Sequence, residues 1–231
     1  MYPYNWVTRN YKLKHQRDIE KLQSNLGKAT SATVYSWIKK RNITKELAGN
    51  PRRVLDVGCG WGRELIRFNN AVGVDVSLPF LKTAKNYTSN ELVLSDASSL
   101  PFKDNSFDLV IMSEVIEHLN NPDEAIKKIK QALKEEGKII VQTPNKLLTG
   151  GKVISKDRGH VHEFTPSELI KFITKHGFKI LRHTGSTIPY IPTSSRFTGL
   201  NANKCFFKVW KLLDEFIPFK WDIIILAERR K

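Results

Sequence analysis

Two groups of residues in this chain have the types and spacing to do chemistry. The first is Asp56-Val57-Gly58-Cys59-Gly60-Trp61-Gly62, an acid followed by glycines at alternate positions. Glycine is needed where a backbone turns at positive φ and where a ligand must lie against bare main chain. The second is Glu114-Val115-Ile116-Glu117-His118, with His160 and His162 further along. Positions i, i+3 and i+4 share one face of a helix, so a helical reading brings both carboxylates and the imidazole together. With a histidine from the downstream loop they form a donor set for Mg, Mn or Zn. Such an ion would hold an acceptor hydroxyl and lower its pKa. Plainer readings stay open: glutamates that favour a helix N-terminus, a His118 that is a general base without metal, or a packed histidine.

Each group needs elements to position it. Val54, Leu55 and Val57 make a short apolar strand (53–57) running into the glycines, and Glu64, Leu65, Ile66 and Phe68 predict a helix over 62–69. Strand, glycine loop and helix place a ligand at a helix N-terminus, on the carboxyl edge of a parallel sheet. The spacing is G-x-G-x-G, not the G-x-G-x-x-G that seats a dinucleotide diphosphate. An acid two residues before the first glycine suits a cationic amino-acid ligand better than a diphosphate. The loop therefore points to S-adenosylmethionine, whose ammonium and sulfonium are both positive.

More acids follow at strand ends. Asp75 closes a second strand (71–75), where a carboxylate can accept both ribose hydroxyls, and Asp96 follows a third (91–95). A fourth strand, 107–112, leads into Ser113 and Glu114. In order, these motifs resemble the class I S-adenosylmethionine-dependent methyltransferases, in the branch reading D-x-G-C-G-x-G, D-x-S, D, L-P-F-x-D-x-S-F-D and E-H. The resemblance covers about residues 52–183. It implies a Rossmann-like α/β fold: a mostly parallel seven-stranded sheet, the last strand antiparallel, with helices on both faces. It also implies a cofactor set of Asp56, Gly58, Cys59, Gly60, Asp75, Val76, Asp96, Ala97 and Ser113. Asp56, Gly58 and Gly60 would hold the amino-acid end, Asp75 the ribose, and Asp96 with Ala97 the adenine. One departure is that Asp56 and Asp75 lie closer together than in the family, as though the intervening helix had lost a turn. The E-x-x-E-H motif with a later histidine is similar to the ubiquinone-biosynthesis O-methyltransferases and to the small-RNA 2′-O-methyltransferases. That likeness implies Glu114, Glu117, His118 and His160 as metal ligands and His118 with Glu117 as catalytic groups. His160 fits the branch better than His162, standing five residues before Thr165.

The net charge of +15 is unevenly distributed. Residues 1–53 carry net +9 and residues 144–231 net +9, while 54–143 carry −3. Basic flanks around an acidic centre favour an anionic partner: a phosphate or carboxylate, nucleic acid, or an acidic membrane surface touched peripherally. The competing reading is that these lysines are solvated faces. Two cysteines, Cys59 and Cys205, argue against a disulfide framework and for a reducing compartment. The apolar run at Ile223–Ala227 is strand-sized, and no spanning or signal segment is expected, so a cytoplasmic location is expected.

The remaining pattern predicts helices at 12–26, 30–41, 78–87, 122–134 and 166–176, strands at 138–143, 178–183 and 221–227, and loops at 146–161 and 185–201. Residues 1–50 read as a basic helical extension and 51–231 as the methyltransferase domain, with substrate-side elements at 144–165 and 185–217. Phe206, Phe207, Trp210 and Phe216 make an aromatic stripe that either packs in a core or caps an apolar substrate. The Asn-Pro-Pro-aromatic signature of amide and exocyclic-amine methylation is absent after strand four. No cysteine follows strands four or five to attack a pyrimidine. The expected activity is methylation of an oxygen on an anionic or lipid-like small molecule. The alternatives are RNA 2′-O-methylation and a cofactor-binding scaffold without catalysis.

Overall fold

The strand ahead of the glycines, β1 (Val54–Val57), is buried along its whole length, as an apolar strand must be when both sheet faces are covered. The computed structural model describes residues 40, 42–149, 159–186 and 220–230. In these, β2 (Ala71–Asp75), β3 (Glu91–Leu94), β4 (Phe107–Ser113), β5 (Leu133–Pro144), β6 (Phe178–Thr184) and β7 (Asp222–Arg229) join β1 in one sheet. Its order is β3-β2-β1-β4-β5-β7-β6. The first five in that order pair in parallel, and β7 runs antiparallel to both of its neighbours, β5 and β6.

Side chains alternate between two cores with the period of two that strands impose. Leu55, Val57, Val72, Val74, Val110, Met112, Ile139 and Val141 face one core. Val54, Ala71, Leu109, Ile111 and Ile140 face the other. On the first face, α3 (Pro122–Ala132) buries Ala125, Ile126, Ile129 and Ala132, and α4 (Pro166–Lys175) buries Leu169 and Ile173. Their starts follow from sequence. Proline stands in the first turn of each, Asn121 Oδ1 accepts from Glu124 N at 3.3 Å, and Thr165 and Glu168 form a reciprocal capping box. Such caps each contribute about 1 kcal/mol. On the other face lie the helical stretch 42–48 (α1), which buries Leu47 and Ala48, and α2 (Leu78–Ala84), which buries Leu81.

Register positions the site. Val57 pairs with Val74 on one side and Met112 on the other, and Ser113 pairs with Gln142. Gly58, Asp75, Ser113 and Gln142 therefore come to one level at the carboxyl edge. Asp222 reaches the same edge because antiparallel β7 pairs it with Pro144.

Two expected helices are corrected. Over 62–69 there is only a 3-10 turn, Leu65–Arg67, after which Phe68 is already extended. The link back to β2 is too short for a full helix: Val54 N bonds Asn70 O, and the Asn70 side chain bonds Arg52 O, so the chain must be back at β1's start by Asn70. After β4 there is likewise no α-helix but a 3-10 turn, Ile116–His118. Glu114 before it takes φ +58. The other described elements lie within a few residues of their expected bounds, with three exceptions: β5 begins at Leu133, before the expected 138; the helix expected to end at 41 is still helical over 42–48; and a short helix, Lys146–Thr149, stands in the stretch expected to be a loop. The expected helix at 12–26, most of that at 30–41, and the aromatic stripe at 206–216 lie outside the described residues. A compact unit comprising Lys40–Thr187 and Phe219–Lys231 holds the sheet.

Candidate cofactor and acceptor site

The glycine loop is tied to β2 by backbone bonds: Gly58 N and Cys59 N both donate to Val74 O, at 2.7 and 2.9 Å. Gly58 has φ +71, and a Cβ there would lie 2.2 Å from Val115 Cγ2. Gly60, at φ +54, is the opposite case: a Cβ there would meet nothing within 4 Å. One glycine lets the loop close on the turn after β4, and the other leaves bare main chain facing open space.

Asp75 Oδ2 accepts from Gly60 N at 2.9 Å and Oδ1 from Ser77 N at 2.8 Å. Burial pushes its carboxyl up, and these amide bonds pull against that shift. A carboxylate has about four acceptor positions, so both oxygens keep capacity for ribose hydroxyls. Asp96, exposed after β3, accepts from Ser98 N and Oγ at 2.7 and 2.6 Å. Ala97 beside it is buried, while Val76 is 54 % exposed, an apolar surface next to Asp75. Cys59 is buried and its thiol pushed up by that burial, which removes it as a nucleophile. Ser113 Oγ accepts from Arg63 Nη2 at 3.1 Å.

Asp56 is 2 % exposed, and burial pushes its carboxyl up to about 7; Arg63 and Arg67 lower it and Asp75 raises it. Its Oδ2 is buried without a hydrogen-bond partner. An orphaned carboxylate oxygen beside an open glycine face fits a ligand with a cationic amino group. The folded chain holds this proton more tightly than the free chain, whose carboxyl titrates at 3.8. Stability through Asp56 therefore falls as pH rises from about 4 to 7, by at most about 1.4 kcal/mol per unit. Ligand-free wild type is expected to lose stability over this range relative to Asp56→Asn. Parallel denaturation curves for the two at every pH contradict the assignment.

A family model described as a methyltransferase domain matches residues 55–141. An uncharacterised protein of Methanocaldococcus jannaschii is 30% identical over 185 residues, covering 68% of this chain and 74% of that protein. The chain belongs to the class I S-adenosylmethionine-dependent methyltransferases. A ubiquinone biosynthesis O-methyltransferase of Coxiella burnetii is 26% identical over 207 residues, covering 78% of this chain and 87% of that enzyme. In structure the chain is similar to an S-adenosylmethionine-dependent methyltransferase from Thermotoga maritima, with TM-score 0.72 at 17% identity over 97% of this chain and 99% of that one. It is also similar to a Haloferax volcanii complex of a methyltransferase with the Trm112 activator, with TM-score 0.69 at 16% identity over 99% and 97% of the two chains.

After β4, Glu117, His118 and His160 come together, with one ligand atom from each within 4.8 Å of the others. The 3-10 turn presents Glu117 and His118. Val161 N and His162 N both donate to Glu117 O, at 2.7 and 3.0 Å, which pins the loop that carries His160. The His118 and His160 rings stand 4.9 Å apart, edge to face. Glu117 is 1 % exposed; Thr143 Oγ1 donates to its Oε2 at 2.9 Å, and Oε1 is buried without a partner. Burial first, and the Glu114 charge second, push the Glu117 carboxyl well up.

Glu114, expected among the metal ligands, is not brought into this group. Its positive φ turns it aside, and its Oε1 meets Lys40 Nζ at 3.2 Å and Gln142 Nε2 at 3.4 Å. Burial pushes the Glu114 carboxyl up, but Lys40 and Arg63 outweigh it and hold the group below the usual range. Lys40, 7 % exposed, also meets Asp222 Oδ1 at 2.8 Å, and Ser186 Oγ donates to Asp222 Oδ2. Sequence reasoning missed Lys40, Arg63, Thr143 and Asp222. Only Arg63, next to the glycines, carried a local signal. Among the described residues no helix is long and apolar enough to cross a membrane.

Proposed function

We propose that this methyltransferase methylates an oxygen of a small acceptor with an anionic or lipid-like body. The convergence of Glu117, His118 and His160 at the edge of β4 carries the reading. S-adenosylmethionine, when bound, supplies a methyl group on a positively charged sulfur. Asp56, Gly58 and Gly60 would hold its amino-acid end, Asp75 its ribose, and Asp96 with Ala97 its adenine.

The chain's own work is to place an acceptor hydroxyl and receive its proton. His118 Nδ1 lies 3.2 Å from Gly159 O. A carbonyl only accepts, so Nδ1 carries the hydrogen and Nε2 keeps a lone pair. That lone pair suits either proton uptake or metal ligation. One carboxylate and two imidazoles suit a borderline divalent cation such as Zn or Mn better than Mg, which prefers oxygen ligands, and the orphaned Glu117 Oε1 is the kind of atom such an ion satisfies. Held there, the ion would lower the pKa of a bound hydroxyl. Without it, His118 remains as the base, a role worth about 10²–10⁴-fold in rate. In-line positioning contributes up to ~7–11 kcal/mol of barrier reduction.

The charge distribution supports an anionic acceptor: both basic flanks lie outside the acidic stretch that builds the cofactor loop. The name of the Coxiella burnetii relative supports oxygen as the target atom. The test is methyl transfer from labelled S-adenosylmethionine to hydroxylated aromatic acids and, separately, to single-stranded RNA, with and without chelator. Label is expected on a small acid, abolished by chelation, restored by Mn, and reduced about 10²-fold or more in His118→Ala. Chelator-resistant turnover removes the metal and leaves His118 as base. Label on RNA, weakening steeply with salt, replaces the small acceptor with a 2′-hydroxyl.

A further inference from the structure

We propose that Lys40 is a positioning residue for methyl transfer: through Glu114 it fixes the turn after β4, and with it the placement of Glu117 and His118 against the glycine loop. The proposal rests on the reading of Glu117, His118 and His160 as the centre that handles the acceptor.

The turn is gripped from both faces of the sheet. Gln142 and Thr143 are successive residues of β5, so their side chains point to opposite faces. On one face Gln142 Nε2 donates to Glu114 Oε1 at 3.4 Å, and Lys40 Nζ donates to the same oxygen at 3.2 Å. On the other, Thr143 Oγ1 donates to Glu117 Oε2 at 2.9 Å. The two carboxylates of the motif therefore have separate roles. Glu117 joins the two imidazoles, and Glu114 is the handle by which the start of the turn is held.

A handle is needed there because Glu114 stands at φ +58, a region that residues with a Cβ seldom enter and glycine enters freely. That conformation decides where the next residue goes. Val115 Cγ2 lies 2.2 Å from the point that a Cβ on Gly58 would occupy, so Val115 closes on the glycine loop. Val115 O in turn accepts from His118 N at 2.9 Å. Lys40 is itself held in place: its side chain is 8 % exposed, its ammonium meets Asp222 Oδ1 at 2.8 Å, and its carbonyl accepts from Thr44 Oγ1 at 2.9 Å. A cation anchored in this way cannot follow Glu114 into another backbone conformation, so the ion pair favours the one observed.

Glycine separates the handle from the conformation it holds. Glu114→Ala removes the carboxylate and keeps the Cβ; Glu114→Gly removes both and makes positive φ easy. Lys40 keeps its Asp222 partner in each. Methyl NMR reads the Val115–Gly58 contact as a cross-peak, and thermal melting verifies that each variant is folded. The cross-peak is expected to be lost in Glu114→Ala and kept in Glu114→Gly, and likewise lost in Lys40→Met and regained when Glu114→Gly is added. In the labelled-cofactor assay above, kcat is expected to follow the cross-peak, falling by up to the roughly 10²–10⁴-fold that a general base contributes, while KM for S-adenosylmethionine holds. If Lys40→Met does not fold, the alanine and glycine variants decide alone. A cross-peak that survives Glu114→Ala or a folded Lys40→Met, or one lost from Glu114→Gly, overturns the proposal, as does turnover that ignores the cross-peak. Absence of transfer to any acid strikes the acceptor reading instead, and the cross-peaks still decide whether Lys40 holds the turn.

Discussion

Gly58→Ala is expected to destabilise the protein by roughly 2–5 kcal/mol, while the same change two residues later leaves the fold nearly intact and removes cofactor binding. At position 58 the added methyl would lie 2.2 Å from Val115 Cγ2, on a backbone at φ +71. Overpacking and left-handed strain each cost about 1–3 kcal/mol for a non-glycine residue. Val115 cannot retreat freely, because it belongs to the turn that presents Glu117 and His118. At position 60 the methyl would meet no protein atom within 4 Å, so only the backbone strain remains, about 1–3 kcal/mol. It would stand where the ligand must lie. Urea denaturation and S-adenosylhomocysteine calorimetry on both variants separate the cases. A Gly60→Ala protein that binds normally shows that the open space is not the cofactor's.

Lys40→Met is expected to cost about 3–5 kcal/mol, the range for removing one member of a buried ion pair. The lysine stands 2.8 Å from Asp222 and 3.2 Å from Glu114, and its loss leaves two carboxylates repelling each other at a sheet edge. Asp222 is almost fully buried and Glu114 partly open to solvent, so most of the penalty belongs to Asp222. Adding Asp222→Asn is therefore expected to return part of the lost stability, and adding Glu114→Gln less. Urea unfolding of the single and double variants reads this directly. A Lys40→Met protein within about 1 kcal/mol of wild type would mean that the ammonium contributes nothing net to stability.

The parts of the candidate site legible from sequence are those whose residue types a local geometry demands. The alternate glycines, and the acids at the ends of β1 and β2 and just after β3, each answer to one turn or strand end, and one glance along the chain finds them. What escaped depends on partners far away in sequence. Lys40 near the end of a basic helical stretch looks like a solvated lysine, and its carboxylates come from β7 and from 74 residues downstream. Glu114 was grouped with Glu117 and His118 because i, i+3 and i+4 spacing presumes a helix. Glutamate carries no preference for φ +58, so nothing in its identity announces the turn that sends it to Lys40. The helix expected over 62–69 had a good apolar pattern. It yielded to chain length, since the residues before β2 must first return to the start of β1.

The place of β7 bears on how the molecule is made. Synthesis runs in one direction, and β7 emerges after β6 yet lies between β5 and β6. Until residues 222–229 leave the ribosome, β5 presents an open edge along Lys138–Pro144 and β6 has no neighbour in the sheet at all. The parallel part, β1 to β5 with α2 and α3, can associate during translation; β6 waits for the last strand to be inserted. Open strand edges recruit other chains, so the nascent protein passes through a period in which self-association competes with closure. Asp222, the first residue of that last strand, is also the one that meets Lys40. Insertion of β7 and burial of the lysine are thus a single event, and the site's charges are balanced only when the sheet is complete.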